Sequence, residues 1–300
     1  MKTAIIGLGL IGGSMAIDLR KAGLVTSLMG VDNNKDHAGR ALDLGLVDEI
    51  IPLEEAVEQA DLVITAIPVN AIKDVLFKVL DHVSEKAIVI DTGSTKSMIC
   101  KAIEKHLKRQ QFVAAHPLAG TENSGPDAAL SGLFSQKTNI ICEREKSSAK
   151  ALEVACQIFS TLEMRTIFMD PVEHDKHVAY VSHLSHVSAF LLGQTVLDIE
   201  KDEKNIFNLA GSGFASTVRL AKSSPDMWAP IFEQNAEYLS QALLEYIMHL
   251  QKFQYHLMKR DVNELHRIMT SANHIRKVLE GLEVKEKPNQ LVENKNKNSI

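Results

Sequence analysis

The chain has 300 residues, 45% of them hydrophobic and 24% charged, with a formal net charge of -5. That length supports two domains and a sizeable core without staples, and the composition excludes wholesale disorder. A mildly acidic chain offers no basic field for nucleic acid, so an anionic small molecule has to be met by local charge.

The three cysteines, Cys100, Cys142 and Cys156, have no CxxC spacing and read as reduced core residues of a cytoplasmic protein. No run reaches the roughly 20 apolar residues of a membrane span. Gly7, Gly9, Gly12 and Gly13 interrupt the first apolar stretch, unlike the helix-forming core of a secretion signal.

Up to about Asp170, short β-branched runs alternate with helical patterns: residues 3–6, 28–31, 62–67, 87–90, 112–115, 138–142 and 166–169. Most runs are apolar throughout, as strands covered on both faces should be, so the sequence predicts a doubly wound parallel α/β sheet of Rossmann type over residues 1–170. From 171 to 282 the pattern is all-helical. Ser224-Pro225 opens one helix, Asp261 with Glu264 resembles a capping box, and Gly281 fits a C-terminal stop. Residues 227–258 keep helical spacing with only Pro230 as an early breaker. Residues 283–300, rich in Lys, Glu and Asn, read as a disordered polar tail.

The first strand runs into Gly7-Leu8-Gly9-Leu10-Ile11-Gly12, which opens a helical pattern, and the next strand ends in Asp32. This is the dinucleotide fingerprint in its proper context: backbone and a helix N-terminus for the pyrophosphate, an acid for the adenosine ribose. Asn33 and Asn34 follow with no arginine for a 2′-phosphate, which favours NAD. Ile67-Pro68-Val69-Asn70 ends a run where the cofactor crosses the carboxyl edge of the sheet.

Two other strand ends carry unusual polar residues: Asp91-Thr92-Gly93-Ser94-Thr95-Lys96 and His116-Pro117-Leu118-Ala119-Gly120-Thr121-Glu122. Strand carboxyl ends form the ligand crevice of such a sheet, so a histidine there can take a hydroxyl proton while hydride leaves the same carbon. Ser94 is read either as a partner for the histidine or the nicotinamide amide, or as a helix cap. His174, His177, His183 and His186 raise a metal hypothesis, but no carboxylate completes a known spacing and hydride transfer to NAD needs none.

The run from His116 to Gly125, preceded by Asp91–Ser94, resembles the signature of prephenate and arogenate dehydrogenases of tyrosine biosynthesis. His174-Asp175, Val181 to His186, Gly211 to Phe214, Thr217, Arg219 and Met227-Trp228 extend the resemblance from Lys2 to about Gly281. It implies an NAD-dependent oxidative decarboxylation of prephenate to 4-hydroxyphenylpyruvate, with His116 as catalytic base and Ser94 beside it. It implies Arg219 on a substrate carboxylate, His186, Thr121, Glu122, Ser212 and Trp228 around the pocket, and Asp175 behind them. It also implies that the helical half forms a homodimer. The chain departs from the pattern at Ser212, where relatives often have a third glycine, and at Ser185, where proline is common; the first puts the pocket's shape near the substrate side chain in doubt.

Alternatives stay open at this level. Arogenate can replace prephenate, Trp228 can be core, and Arg219 can be a surface ion-pair partner. A 3-hydroxyacid dehydrogenase on the same plan would place a lysine near Lys176, and a non-enzymatic NAD sensor would use the helices for a partner. The residues after Gly281 are too few and too polar to fold a regulatory domain.

Overall fold

A computed structural model describes residues 1–202 and 205–286. The nucleotide half contains strands β1 (Lys2–Ile6), β2 (Ser27–Val31), β3 (Glu49–Ile50), β4 (Leu62–Thr65), β5 (Ile88–Asp91), β6 (Phe112–Pro117), β7 (Thr138–Cys142) and β8 (Arg165–Met169). Between them run α1 (Leu10–Lys21), α2 (Lys35–Asp43), α3 (Leu53–Gln59), α4 (Val69–His82), α5 (Ser97–Ala102) and α6 (Ala149–Thr161).

The strands form one sheet in the order β3-β2-β1-β4-β5-β6-β7-β8. Side chains alternate between two cores: Ile5 enters one with Met15, Leu19 and Phe159, while Ala4 and Ile6 enter the other with Leu76, Val89 and Phe112. Coverage on both faces explains why these strands read as continuous apolar runs. The order reverses between β1 and β4, the place where such sheets open a crevice for ligands.

The expected doubly wound parallel sheet is found, with one pair of strands departing from it. β7 runs antiparallel to β6, with Ala115 opposite Ile141 and His116 opposite Ile140, and β8 follows β7 in parallel. The segment between β6 and β7 contains only a 3-10 turn at Pro126–Ala128, with no crossover helix to return the chain to the far edge of the sheet.

The helices continue with α7 (Pro171–Val178), a π-helical segment (Ala179–His183), α8 (Leu184–Asp202), α9 (Ser212–Thr217), α10 (Pro225–Gln234), α11 (Ala236–Met258), α12 (Val262–Ala272) and α13 (Ile275–Glu286). Asp170 caps α7 through the N–H groups of Val172 and Glu173, with Pro171 in the first turn. Residues 227–258 do not form one helix, because the ladder stops at Asn235. Asp261 caps α12 by accepting from Glu264 N at 3.1 Å, but the Glu264 carboxylate turns to Arg267, so the box is only half formed.

Gly281 does not stop its helix, since α13 runs on to Glu286. A helical glycine costs only about 1 kcal/mol, and the Arg276–Glu280 pair at 2.7 Å supports the preceding turn. Residues 283–286 of the expected tail are therefore helical, and the rest of that tail lies outside the described residues. The chain parts into two compact units between Leu243 and Leu244, within α11. No helix of the described residues is long and apolar enough to cross a membrane.

The turn from β1 into α1 shows what its glycines do. Gly7 sits at φ +93°, and a Cβ on Gly12 would lie 2.0 Å from Gly7 O. Gly9, by contrast, faces open space, with nothing nearer than 4.0 Å to an added Cβ. Gly12→Ala is therefore expected to lower stability by about 2 kcal/mol or more, and Gly9→Ala to leave it within roughly 0.5 kcal/mol, both read from denaturant unfolding. Equal losses would overturn this division of roles.

Candidate active site

The carboxyl edge of the sheet gathers the polar residues. The Gly7–Gly12 turn follows β1, Asp32 follows β2, Pro68 caps α4 just past β4, Ser94 follows β5, and His116 lies near the end of β6. Asp32 is held at both oxygens: Oδ2 accepts from Leu8 N at 2.9 Å and Oδ1 from Asn34 N at 2.9 Å. With lone pairs left over, it can also accept from ribose hydroxyls beside the open face of Gly9 and the free N–H groups of α1.

Around His116 runs a buried hydrogen-bond chain. His116 Nδ1 lies 2.8 Å from His174 Nε2, and His174 Nδ1 lies 2.7 Å from Asp175 Oδ1. Asp175 is fixed in turn by Lys96 N at 2.8 Å and Ser97 N at 2.8 Å. An ionised carboxylate only accepts, so His174 carries its proton on Nδ1 and presents a lone pair at Nε2. His116 must then donate from Nδ1, which leaves its Nε2 as an acceptor. That is the tautomer a general base needs.

Charge supports the same assignment. Burial pushes His116 well below the ordinary histidine value, helped by the neighbouring charges of His174 and Lys96. Burial also lowers His174, although Asp175 pulls the other way. Burial works to raise the Asp175 carboxyl, but hydrogen bonds from His174 and Ser97 outweigh it and leave it below its usual value. Lys96 is fully buried; its ammonium pairs with Asp91 and donates to Ala115 O at 2.7 Å, beneath the histidine.

A second cluster surrounds Trp228. His186 stacks on the indole with centroids 3.5 Å apart, and His183 meets it edge-on at 5.9 Å. His186 Nδ1 donates to Ser182 O at 3.0 Å. The π-helical turn holds His183 almost fully buried, and burial lowers its pKa to about 4. Arg219, half-exposed, pairs with Glu122 at 3.0 Å.

Residues 15–168 match the nucleotide-binding domain of prephenate dehydrogenase, and residues 170–271 match its dimerization domain. The chain belongs to the prephenate dehydrogenase family. It is 32% identical to a cyclohexadienyl dehydrogenase of Zymomonas mobilis, covering 86% of this chain and 89% of that protein. It is 30% identical to a prephenate dehydrogenase of Bacillus subtilis, covering 96% and 78%. The structure of an Aquifex aeolicus prephenate dehydrogenase in complex with hydroxyphenyl propionate and NAD+ superposes with a TM-score of 0.84 at 31% identity, covering 92% of this chain and 97% of that one. A Synechocystis arogenate dehydrogenase superposes at 0.73 with 29% identity, covering 93% and 100%.

Not every residue singled out from sequence joins a cluster in this family member. Leu8, within the glycine turn, meets Asp32, Glu122 meets Arg219, and His186 meets Trp228. Trp228 is also part of the core beside Phe232, with centroids 5.4 Å apart. Thr121 is half-buried, its hydroxyl accepting from Asn123 N at 3.2 Å. Ser94 is half-buried and does not cap a helix, since α5 starts at Ser97 with Lys96 before it. The histidine is held by His174 and not by Ser94. Ser212 opens α9 on the surface.

Sequence reasoning missed His174 as the orienting partner, because Ser94, nearer in the strand-end pattern, was considered for that place. Among the described residues no three His, Cys, Asp or Glu side chains are arranged to hold a metal ion. It also gave Lys96 no role, although a lysine two residues past Ser94 at a strand end was a visible signal.

The buried histidines set the acid stability of the fold. His183 has an ordinary value of 6.5 when unfolded and about 4 when folded, and His116 and His174 are shifted in the same direction. Between those values the unfolded chain binds more protons, so stability falls as pH drops. The thermal midpoint is expected to be level above about pH 7 and to decline from 6.5 toward 4, and His183→Gln should flatten part of that decline. A midpoint unchanged down to pH 4.5 would contradict it.

Proposed function

We propose that this protein catalyses the NAD-dependent oxidative decarboxylation of prephenate to 4-hydroxyphenylpyruvate in tyrosine biosynthesis. The observation that carries the reading is His116, kept neutral by burial and held by the Asp175–His174 chain in the tautomer that leaves its Nε2 lone pair available. A nucleotide-binding domain of this family and a glycine turn with an unobstructed Gly9 support NAD as the cofactor.

Bound NAD supplies the acceptor for the hydride that leaves the ring carbon bearing the hydroxyl. His116 Nε2 takes the hydroxyl proton as that carbon becomes a carbonyl. The positive charge then gained by His116 is offset through His174 by the Asp175 carboxylate, as an orienting acid does for a catalytic histidine. Loss of carbon dioxide restores the aromatic ring as a phenolate, and the same proton can return to it. Aromatisation makes the sequence downhill, so the protein mainly has to orient the ring and receive one proton.

Ser94 is assigned to the nicotinamide end and Arg219 to a substrate carboxylate, where a planar guanidinium binds in a two-pronged fashion. Glu122, Thr121, Ser212, His186 and Trp228 are assigned to the pocket wall, and Gly7, Gly9, Leu10, Ile11, Gly12, Asp32 and Pro68 to the cofactor. Glu122 beside Arg219 also gives a place for the ammonium of arogenate, which makes that substrate the second reading. Residues 171–282 are assigned to substrate binding and dimerisation, and the cytoplasm is the compartment its free cysteines suit.

A homodimer is the partner we propose. Leu191, Leu192 and Leu197 on α8 are exposed, as are Leu244, Met248 and Leu250 on α11. Apolar faces of this kind on a dimerization-domain fold call for a second copy. A monomer by light scattering at micromolar concentration would contradict it.

Absorbance at 340 nm with NAD and either prephenate or arogenate tests the activity and ranks the two substrates. His116→Asn is expected to cut kcat at least roughly 1,000-fold while NAD affinity changes little. The acid limb of kcat/KM for the wild type should lie below the ordinary histidine range, because only the neutral ring accepts a proton. Unchanged turnover in the variant would remove His116 from the mechanism.

Arg219→Leu should raise KM for the substrate by about 100-fold, the loss of one charge-assisted pair. Its effect on kcat should be far smaller. An effect confined to kcat would count against a binding role.

A further inference from the structure

The junction between α10 and α11 has so far no part in the chemistry. Helical spacing continues through it, yet the ladder stops at Asn235, with φ -107° and ψ 24°. The two residues at this stop turn both of their amides inward. Gln234 Oε1 accepts from Thr95 Oγ1 at 2.7 Å, and its Nε2 donates to Val69 O at 2.8 Å. Thr95 adjoins Ser94, and Val69 adjoins Pro68.

Asn235 is almost fully buried, and both N–H bonds of its Nδ2 are used. One goes to Asp175 O at 2.7 Å and the other to His183 Nδ1 at 3.0 Å. The amide cannot be turned over, because its carbonyl would then face the carbonyl of Asp175. His183 Nδ1 is therefore an acceptor and its proton sits on Nε2. So four partners of one dipeptide lie in the relay, in the Trp228 cluster, or one residue from the expected nicotinamide contacts.

We propose that Gln234 and Asn235 are positioning residues for the dehydrogenase reaction. Gln234 sets the spacing between the β4 edge and the Ser94 loop, while Asn235 seats the relay acid and holds His183 in a single tautomer. The inference rests on the function proposed above. A purely structural role would predict a loss of stability alone.

Trp228 is the single tryptophan, so its fluorescence reports on this cluster without any substrate. A protonated imidazole against the indole quenches it. The groups facing His183 are Asp175 and His174 on α7 and His186 on α8, with the uncharged Trp228 and Phe232 on α10. Asn235→Asp keeps the size of the side chain, removes both donors and puts a carboxylate beside His183 Nδ1. With His186→Gln in both proteins, so that His183 is the imidazole left against the indole, the quenching midpoint is expected to rise by at least about one pH unit, which attraction to an adjacent carboxylate readily supplies.

In Asn235→Asp alone kcat should fall roughly 10- to 100-fold, the effect of misplacing a reacting group by about an ångström, with KM for NAD within about twofold. Gln234→Met should instead lower kcat/KM for NAD about tenfold and leave KM for prephenate within about twofold. Should Asn235→Asp fail to fold, Asn235→Ser, which retains one shorter donor, carries the kinetic arm.

Folded variants with wild-type kcat, KM and quenching midpoint would overturn the proposal. So would variants that lose only thermal stability. If the wild type reduces NAD with neither prephenate nor arogenate, the function reading fails, while the shift of the quenching midpoint still decides the role of Asn235.

Discussion

A carboxylate that can only accept sets the protons of two histidines in series, and the chemistry of the site depends on that. Asp175 accepts a hydrogen bond from His174 Nδ1, His174 Nε2 accepts one from His116 Nδ1, and the outer nitrogen of His116 is left without a proton. The chain is assembled from two parts of the fold: α7 supplies the acid and the first histidine, and β6 supplies the second. Two N–H groups at the start of α5 seat the acid. The sheet edge and the helical segment after it are thus joined by this hydrogen-bond chain, so a shift of either disturbs the lone pair presented by His116.

Such a chain is costly to bury, since an unpaired polar group in the interior loses its hydration without return. Here the cost is offset by completeness. The Lys96 ammonium is compensated by Asp91 and Ala115 O, Asp91 also receives Gly93 N at 3.1 Å, and Asp175 has both carboxylate oxygens and its backbone oxygen engaged. A network satisfied at every position but His116 Nε2 has one arrangement, and it leaves that single acceptor open.

Much of this was legible in the amino-acid pattern. Apolar runs bounded by turn residues placed seven of the eight strands among the described residues, the glycine turn and Asp32 were read at the strand ends where they meet, and His116 stood out as a histidine at a strand end. The two-residue β3 gave no hydrophobic run to detect. The reversal of β7 was hidden because a strand buried on both faces looks alike in either direction. Asn235 was passed over because one asparagine scarcely weakens a helical pattern, and its role depends on partners 52 and 60 residues away. His174 was misjudged for a related reason: spacing along a helix shows which residues share a face but not what the opposite chain segment presents to them.

The reversal of β7 has a consequence for the helices that flank the crevice. A crossover helix after β6 would have carried Leu118 and its successors down to the opposite edge of the sheet. A hairpin-like connection has to begin and end at the same edge, so residues 118–137 leave that edge and return to it. In between they run along α1 as far as its last turn: Leu130 N donates to Ser14 Oγ at 3.0 Å, Ser131 to Asp18 at 2.7 Å and Lys21 to Ser131 at 3.0 Å, while Arg40 on α2 pairs with Asp127 at 2.6 Å. One inverted strand thereby makes the stretch of chain that bears Thr121 and Glu122 a brace for the two helices that follow the glycine turn and Asp32.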